Sequence, residues 1–192
     1  DKSEPTAAPT PTEKPEPTAA PTPTEVPVIE PILLMDVEAA AAIKDSHWKI
    51  SADKVVSANA SSTIKQELVK NPPINIFDED DTKNWQEGVD GPGIGESVSF
   101  TFDQEYDIDA MTLKLGNWKT DEYYYGNNRP KTLKIVMEDQ EWSIDFPEDR
   151  MEFSVQFTSP VRTGELQVVI EDIYKGTDWD DTVITEICLW CK

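Results

Sequence analysis

Asn127, Asn128 and Arg129 stand together in this chain, and Asp178, Trp179, Asp180 and Asp181 form a second tight group further on. Side chains of these types suit recognition more than bond breaking. Amides, carboxylates and guanidinium groups hydrogen-bond hydroxyls in fixed directions, while a flat ring covers the C–H face of a pyranose. Rings are available from Trp118, Tyr123, Tyr124, Tyr125 and Trp179, and hydrogen bonds from Asn117, Asn127, Asn128, Arg129, Asp178, Asp180 and Asp181. Trp118 and Trp179 each fit two roles, exposed ligand contact or packing that anchors a loop. In an extended run Tyr124 would point opposite Tyr123 and Tyr125, so one side of that run faces the core. Arg129 precedes Pro130, which holds it extended and suits entry into a strand. Its guanidinium fits a sugar, or an ion pair with Glu87 or Asp121.

A different chemistry is written between Asp78 and Gly95, where carboxylates, amides, Trp85 and the glycines Gly88, Gly91, Gly93 and Gly95 crowd together. Glycine is needed where φ is positive or where the backbone approaches another group closely. Carboxylates and carbonyls on a tight loop are what a hard cation such as calcium takes. Trp85 is expected to pack inward beneath the loop.

Catalytic constellations are poorly supported. A Ser-His-Asp arrangement would have to use His47, the one histidine, in a peripheral N-terminal segment, and no nucleophile elbow is present. There is no Gly-x-x-x-x-Gly-Lys phosphate loop. Paired carboxylates for glycoside hydrolysis exist only because acids are abundant, so a hydrolase using Glu87 or Asp181 is the weakest reading. Cys188 and Cys191 form a C-x-x-C pair at the end of a strand, whereas a redox motif opens a helix. A local disulfide or two unpaired thiols is the expectation, and zinc lacks two further soft ligands.

The rest of the composition sets the context. Residues 4–13 read EPTAAPTPTE and residues 16–25 repeat it, with nine prolines between Pro5 and Pro31. Such a segment buries too little to offset its ordering entropy and favours polyproline II. Residues 1–34 are therefore expected to be a disordered tether, whose Pro5–Pro31 stretch would span roughly 80 Å when extended at about 3.1 Å per residue. Residues 35–192 are the size of one domain with a substantial core. The chain carries −21, and the first 34 residues hold six acids and two bases, which leaves −17 on the domain. That field repels nucleic acid and anionic membrane surfaces and leaves neutral sugars unaffected. No apolar run is long enough to span a bilayer, so direct membrane insertion is not expected. The start on a Pro/Thr repeat without Met suggests a chain whose signal peptide has been removed, outside the cell or attached to its surface.

Behind the loops, Asp36 caps a short helix over Val37–Lys44. The pattern then turns to period two: Val98, Phe100 and Phe102; Leu113 and Leu115; Leu133, Ile135 and Met137; Trp142, Ile144 and Phe146; Phe153, Val155 and Phe157; Leu166, Val168 and Ile170. With Val55–Ala60 and a last strand over Val183–Trp190, and turns at Phe146–Asp149 and Ser159-Pro160, this predicts an all-β, eight-stranded antiparallel jelly-roll sandwich. The long polar loops gather at its ends.

Three separated motifs in this order resemble the NADase-type glycan-binding domain, a discoidin-like family. They are Ile76-Phe77-Asp78 with Trp85–Glu96, then Tyr123 with Asn127–Lys131, then Asp172–Gly176 with Asp181–Ile187. The resemblance runs from about Val56 to Trp190. It implies a galactose-binding-like jelly roll on a secreted or surface protein of a Gram-positive bacterium, without the NAD-cleaving activity. It also implies a structural calcium, held here by Asp78, Asp81, Thr82 and Glu186, with Asp80 as a further oxygen donor. Two departures stand out: Glu79 replaces a glycine and Lys83 a threonine, and an ammonium beside a cation weakens it. The resulting expectation is a non-catalytic carbohydrate-binding module. Its ligand, a glycan or cell-wall or host polysaccharide, would meet Glu87, Trp118, Tyr124, Asn127, Asn128, Arg129, Asp178, Trp179 and Asp181. The alternative is a surface domain that grips a protein, with further domains in a larger polypeptide.

Overall fold

The computed structural model describes residues 28–66 and 71–192. The Pro/Thr repeat lies outside the described residues. The fold is the expected antiparallel jelly-roll sandwich, but two pairs of expected strands are fused. β5 (Ser97–Leu115) joins the Val98–Phe102 and Met111–Leu115 segments, and β8 (Phe153–Tyr174) joins Phe153–Phe157 to Leu166–Ile170. Ser159-Pro160, expected as a turn, is inside β8. β5 and β8 pair along nearly their whole lengths, from Ser97 opposite Val169 to Leu113 opposite Phe153. Register breaks between Thr101 and Tyr106 and between Ile108 and Ala110 bend this ladder, as bulges do, so that it serves both layers.

One layer adds β3 (Val55–Ala60) to the first half of β5, and β6 (Arg129–Met137) and β7 (Gln140–Asp145) to the second half of β8. The other adds β9 (Val183–Cys191) to the second half of β5, with the two-residue strands β2 (Trp48–Lys49) and β4 (Trp85–Gln86) on β9. Between the layers lie the predicted alternating residues, Val98, Phe100, Leu113, Leu133, Ile135, Phe153, Val155, Val168 and Ile170 among them, each at most 2% exposed.

β9 breaks the alternation, because every one of its positions is buried. One face meets the core. The other lies under α1 (Val37–Ser46), whose Ile43 packs with Ala110, Cys188 and Trp190. The helix begins as its sequence says, with the Asp36 carboxylate accepting from the Ala39 amide at 2.8 Å. The folded unit also starts earlier than residue 35. β1 (Pro31–Leu34) pairs with β8, and Trp142 Nε1 donates to the Ile29 carbonyl at 2.9 Å. Ile29 and Leu33 pack on the core, so these apolar residues close a layer and do not belong to the tether.

Cys188 and Cys191 are unpaired and buried. They are three apart on a strand and so point to opposite faces, one to each cluster. Burial pushes the thiols up to about 12 and about 11, far from the thiolate that redox chemistry needs. His47 does meet a serine and an aspartate: Nε2 lies 2.5 Å from Asp109 Oδ2 and Nδ1 2.8 Å from Ser46 Oγ. Nδ1 also lies 3.0 Å from the Ile43 carbonyl. The Ser46 hydroxyl donates to the Ala42 carbonyl. The trio fastens the end of α1 and is not a catalytic triad.

Candidate functional site

At one end of the sandwich a pocket of about 270 Å³ opens between three segments. The first runs through Thr82, Asn84 and Gln86. The second, between β5 and β6, supplies Asn117, Lys119, Tyr123 and Asn127. The third, between β8 and β9, supplies Trp179 and Asp181, and Gln66 and Asn71 complete the wall. Side-chain amides dominate. Several are fixed in a chain in which Asn71 donates to Gln86 at 3.4 Å and Gln86 to Asp181 Oδ2 at 3.0 Å. Burial raises the Asp181 carboxyl above its ordinary value, against the Gln86 hydrogen bond, which lowers it.

Asn84 is 5% exposed and its buried Oδ1 has no hydrogen-bond partner among the described residues. The same residue holds the loop through its backbone, its carbonyl accepting from Asn75 Nδ2 at 2.9 Å. A buried amide left unpaired is costly, and here it stands in the wall of the pocket.

The mouth carries two aromatic rings. Tyr123 and Trp179 are 37% and 39% exposed, with centroids 5.6 Å apart and planes at 43°. The tyrosine run is not extended as expected; it is α2 (Asp121–Gly126), capped by the Thr120 hydroxyl, which accepts from the Tyr123 amide. Helical geometry turns Tyr124 inward and leaves Tyr123 and Tyr125 outside. At the end of α2, Trp179 lies so close to Gly126 that a Cβ there would stand 2.4 Å from its ring. The Trp179 amide donates to the Gly126 carbonyl at 2.9 Å. Glycine at 126 is thus the condition for Trp179 to sit beside Tyr123.

Of the residues read as ligand contacts, Asn127, Trp179 and Asp181 line the pocket. The others lie elsewhere, each for a physical reason. Glu87 is fully buried, and its two oxygens accept from the amides of Thr182 at 3.0 Å and Val89 at 2.9 Å. Burial raises its carboxyl despite those bonds. Gly93 packs against it; a Cβ there would lie 2.5 Å from Glu87 Cγ. Asn128, also fully buried, ties the β8–β9 loop by accepting from Gly176 N and donating to the Asp180 carbonyl. Arg129 donates to the carbonyls of Tyr124 and Asn127 and pairs with Glu148 at 2.6 Å, not with Glu87 or Asp121. Tyr124 is 4% exposed, its hydroxyl donates to Asp149 O, and Arg150 lies 4.9 Å from its ring. Trp118 is half-buried between Lys114 and Arg150, 5.3 and 5.6 Å from its ring, and its Nε1 donates to Leu115 O. Asp178 is exposed beside Trp179 and takes a bond from Thr177.

Gln66, Asn71, Asn84, Gln86 and Lys119 were not foreseen as site residues. One signal was legible: Asn84 and Gln86 flank Trp85, and in an extended segment two such amides share the face opposite a buried ring. Trp85 is indeed fully buried, donating to the Ser62 carbonyl at 3.0 Å.

The acids expected to hold calcium do not present a free set of oxygens. Asp78 accepts from Lys83 Nζ at 2.9 Å and Asp81 from Lys114 Nζ at 2.6 Å. The Thr82 hydroxyl donates to Asp80. Glu186 is 3% exposed and accepts the Glu79 amide at 2.9 Å, and burial pushes its carboxyl up to about 8. Among the described residues no three of His, Cys, Asp or Glu are placed to hold a metal ion. As arranged, these residues do not fit calcium.

A two-layer jelly roll with an amide-walled pocket at its loop end is a discoidin-like domain. Residues 49–190 match the NAD glycohydrolase translocation F5/8 type C domain, and the chain belongs to that family. Solved structures share the fold at low identity. The family 32 CBM of Clostridium perfringens NanJ, in complex with galactose, is 15% identical with a TM-score of 0.58, covering 75% of this chain and 98% of that one. CBM32-3 of a C. perfringens family 31 glycoside hydrolase is 13% identical with a TM-score of 0.61, covering 80% and 98%. CpGH89CBM32-5 from C. perfringens, in complex with GalNAc-β-1,3-galactose, is 12% identical with a TM-score of 0.57, covering 74% and 99%. No match exists among curated proteins.

Proposed function

We propose that this domain binds carbohydrate without acting on it. A sugar residue would enter the pocket with one face against Tyr123 and Trp179, while Asn84, Asn117, Asn127 and Asp181 meet its hydroxyls. The observation that carries this reading is the pocket wall itself: dense side-chain amides, one of them unpaired, beneath two half-exposed rings. That is the combination hydroxyl-rich, weakly charged ligands need. The bound galactose and GalNAc-β-1,3-galactose of the structural neighbours support the ligand class. The −17 charge of residues 35–192 favours neutral glycans over acidic ones. Display outside a bacterial cell on the Pro/Thr tether belongs to the same proposal. Among the described residues no helix is long and apolar enough to cross a membrane.

Glycan-array screening followed by calorimetric titration tests this. Binding to at least one neutral glycan, lost in Trp179→Ala, is the expected result. No binding to any glycan would refute the reading.

A further inference from the structure

We propose that the acid turn Asp78–Asp81 is held by the chain's own ammonium groups in place of a divalent ion. The turn carries four consecutive carboxylates, Asp78, Glu79, Asp80 and Asp81, with the buried Glu186 beneath it. Left alone, these charges would repel one another and open the turn. Three lysines from three places in the chain converge on it. Lys83, in the loop itself, lies 2.9 Å from Asp78 and 3.1 Å from Asp80. Lys114, from β5, reaches both oxygens of Asp81 at 2.6 and 2.9 Å. Lys49, from β2, pairs with Glu79.

Calcium needs six to eight oxygens at about 2.3–2.6 Å. Nζ of Lys83 stands where such an ion would share Asp78 with Asp80, and Nζ of Lys114 takes both oxygens of Asp81, so the ion and the ammonium groups exclude each other. The remaining direction, toward Glu186, is taken by the backbone amide of Glu79. The turn runs directly into Thr82 and Asn84 of the pocket, and the lysines therefore also fix that wall without an ion.

The test is the melting temperature of the full chain in chelator and in calcium at about 10 mM, above the weak range of extracellular calcium modules. Coincident transitions are expected, with no binding heat when calcium is titrated calorimetrically. A saturable rise in melting temperature, or stoichiometric heat, would overturn the proposal. In chelator, the Lys83→Met, Lys114→Met double variant should melt several degrees below the parent, and equal melting would contradict the role given to the lysines. If the double variant does not fold, the calcium titration of the parent decides alone.

Discussion

Two tryptophans sit in comparable loops at the same end of this sandwich and have opposite fates. Trp118 is clasped between Lys114 and Arg150, edge-on to Tyr124, with its indole nitrogen donating to Leu115. Trp179 lies over Gly126 with its outer face open beside Tyr123. The difference is set by neighbours and not by the ring. Cations and a buried tyrosine close around the first, and a glycine gives the second a seat but no cover. An aromatic in a polar loop stays open to solvent here where a small residue supports it from one side only.

That contrast can be broken from either side. The largest effect is expected on the closed side. Tyr124→Ala removes the buried ring against which Trp118, Arg129 and Arg150 pack, and should cost about 3–5 kcal/mol in denaturant unfolding. A cost below about 1 kcal/mol would mean that the cluster does not hold the loop. On the open side, Trp179→Ala should leave unfolding nearly unchanged and weaken glycan affinity by roughly 1–3 kcal/mol, about five- to 150-fold. Equal losses of stability in both variants would erase the distinction.

Glu87 sharpens the comparison through pH. Its folded carboxyl lies above its ordinary value of 4.5 because of burial, so the native state binds its proton more tightly than the unfolded chain. The stabilising contribution is fully present below the unfolded value and falls as pH rises through the folded one. The penalty for Glu87→Gln should therefore shrink between acid and neutral pH, as measured by chemical denaturation; a penalty that grew would reverse the assignment. The smallest effect is expected at Glu79, held at φ 61° in the left-handed region that favours glycine. Glu79→Gly should change stability by no more than about 1 kcal/mol, relieving backbone strain and losing the Lys49 pair.

Much of the sandwich could be read in advance, because alternation along Val98–Phe102, Leu133–Met137 and Phe153–Phe157 reports a sheet with one buried face. Alternation failed at β9, where α1 covers the second face, and at Ser159-Pro160, where β8 continues through residues that usually turn. The site was less legible. Asn127, Trp179 and Asp181 were found as polar or aromatic residues in loops, but Glu87, Asn128 and Arg129 have the same composition and serve the backbone instead. Which of the two an amide or carboxylate does depends on which main-chain groups the loops leave unpaired, and that is decided by tertiary contacts. Asn84, Gln86 and Lys119 were hidden inside segments read for calcium or for Trp118.

The most direct single measurement is a crystal structure of the chain soaked with galactose and N-acetylgalactosamine. Sugar density is expected against Tyr123 and Trp179, within hydrogen-bonding reach of Asn84, Asn127 and Asp181. A sugar bound over another surface, with this pocket holding only water, would contradict the proposed site.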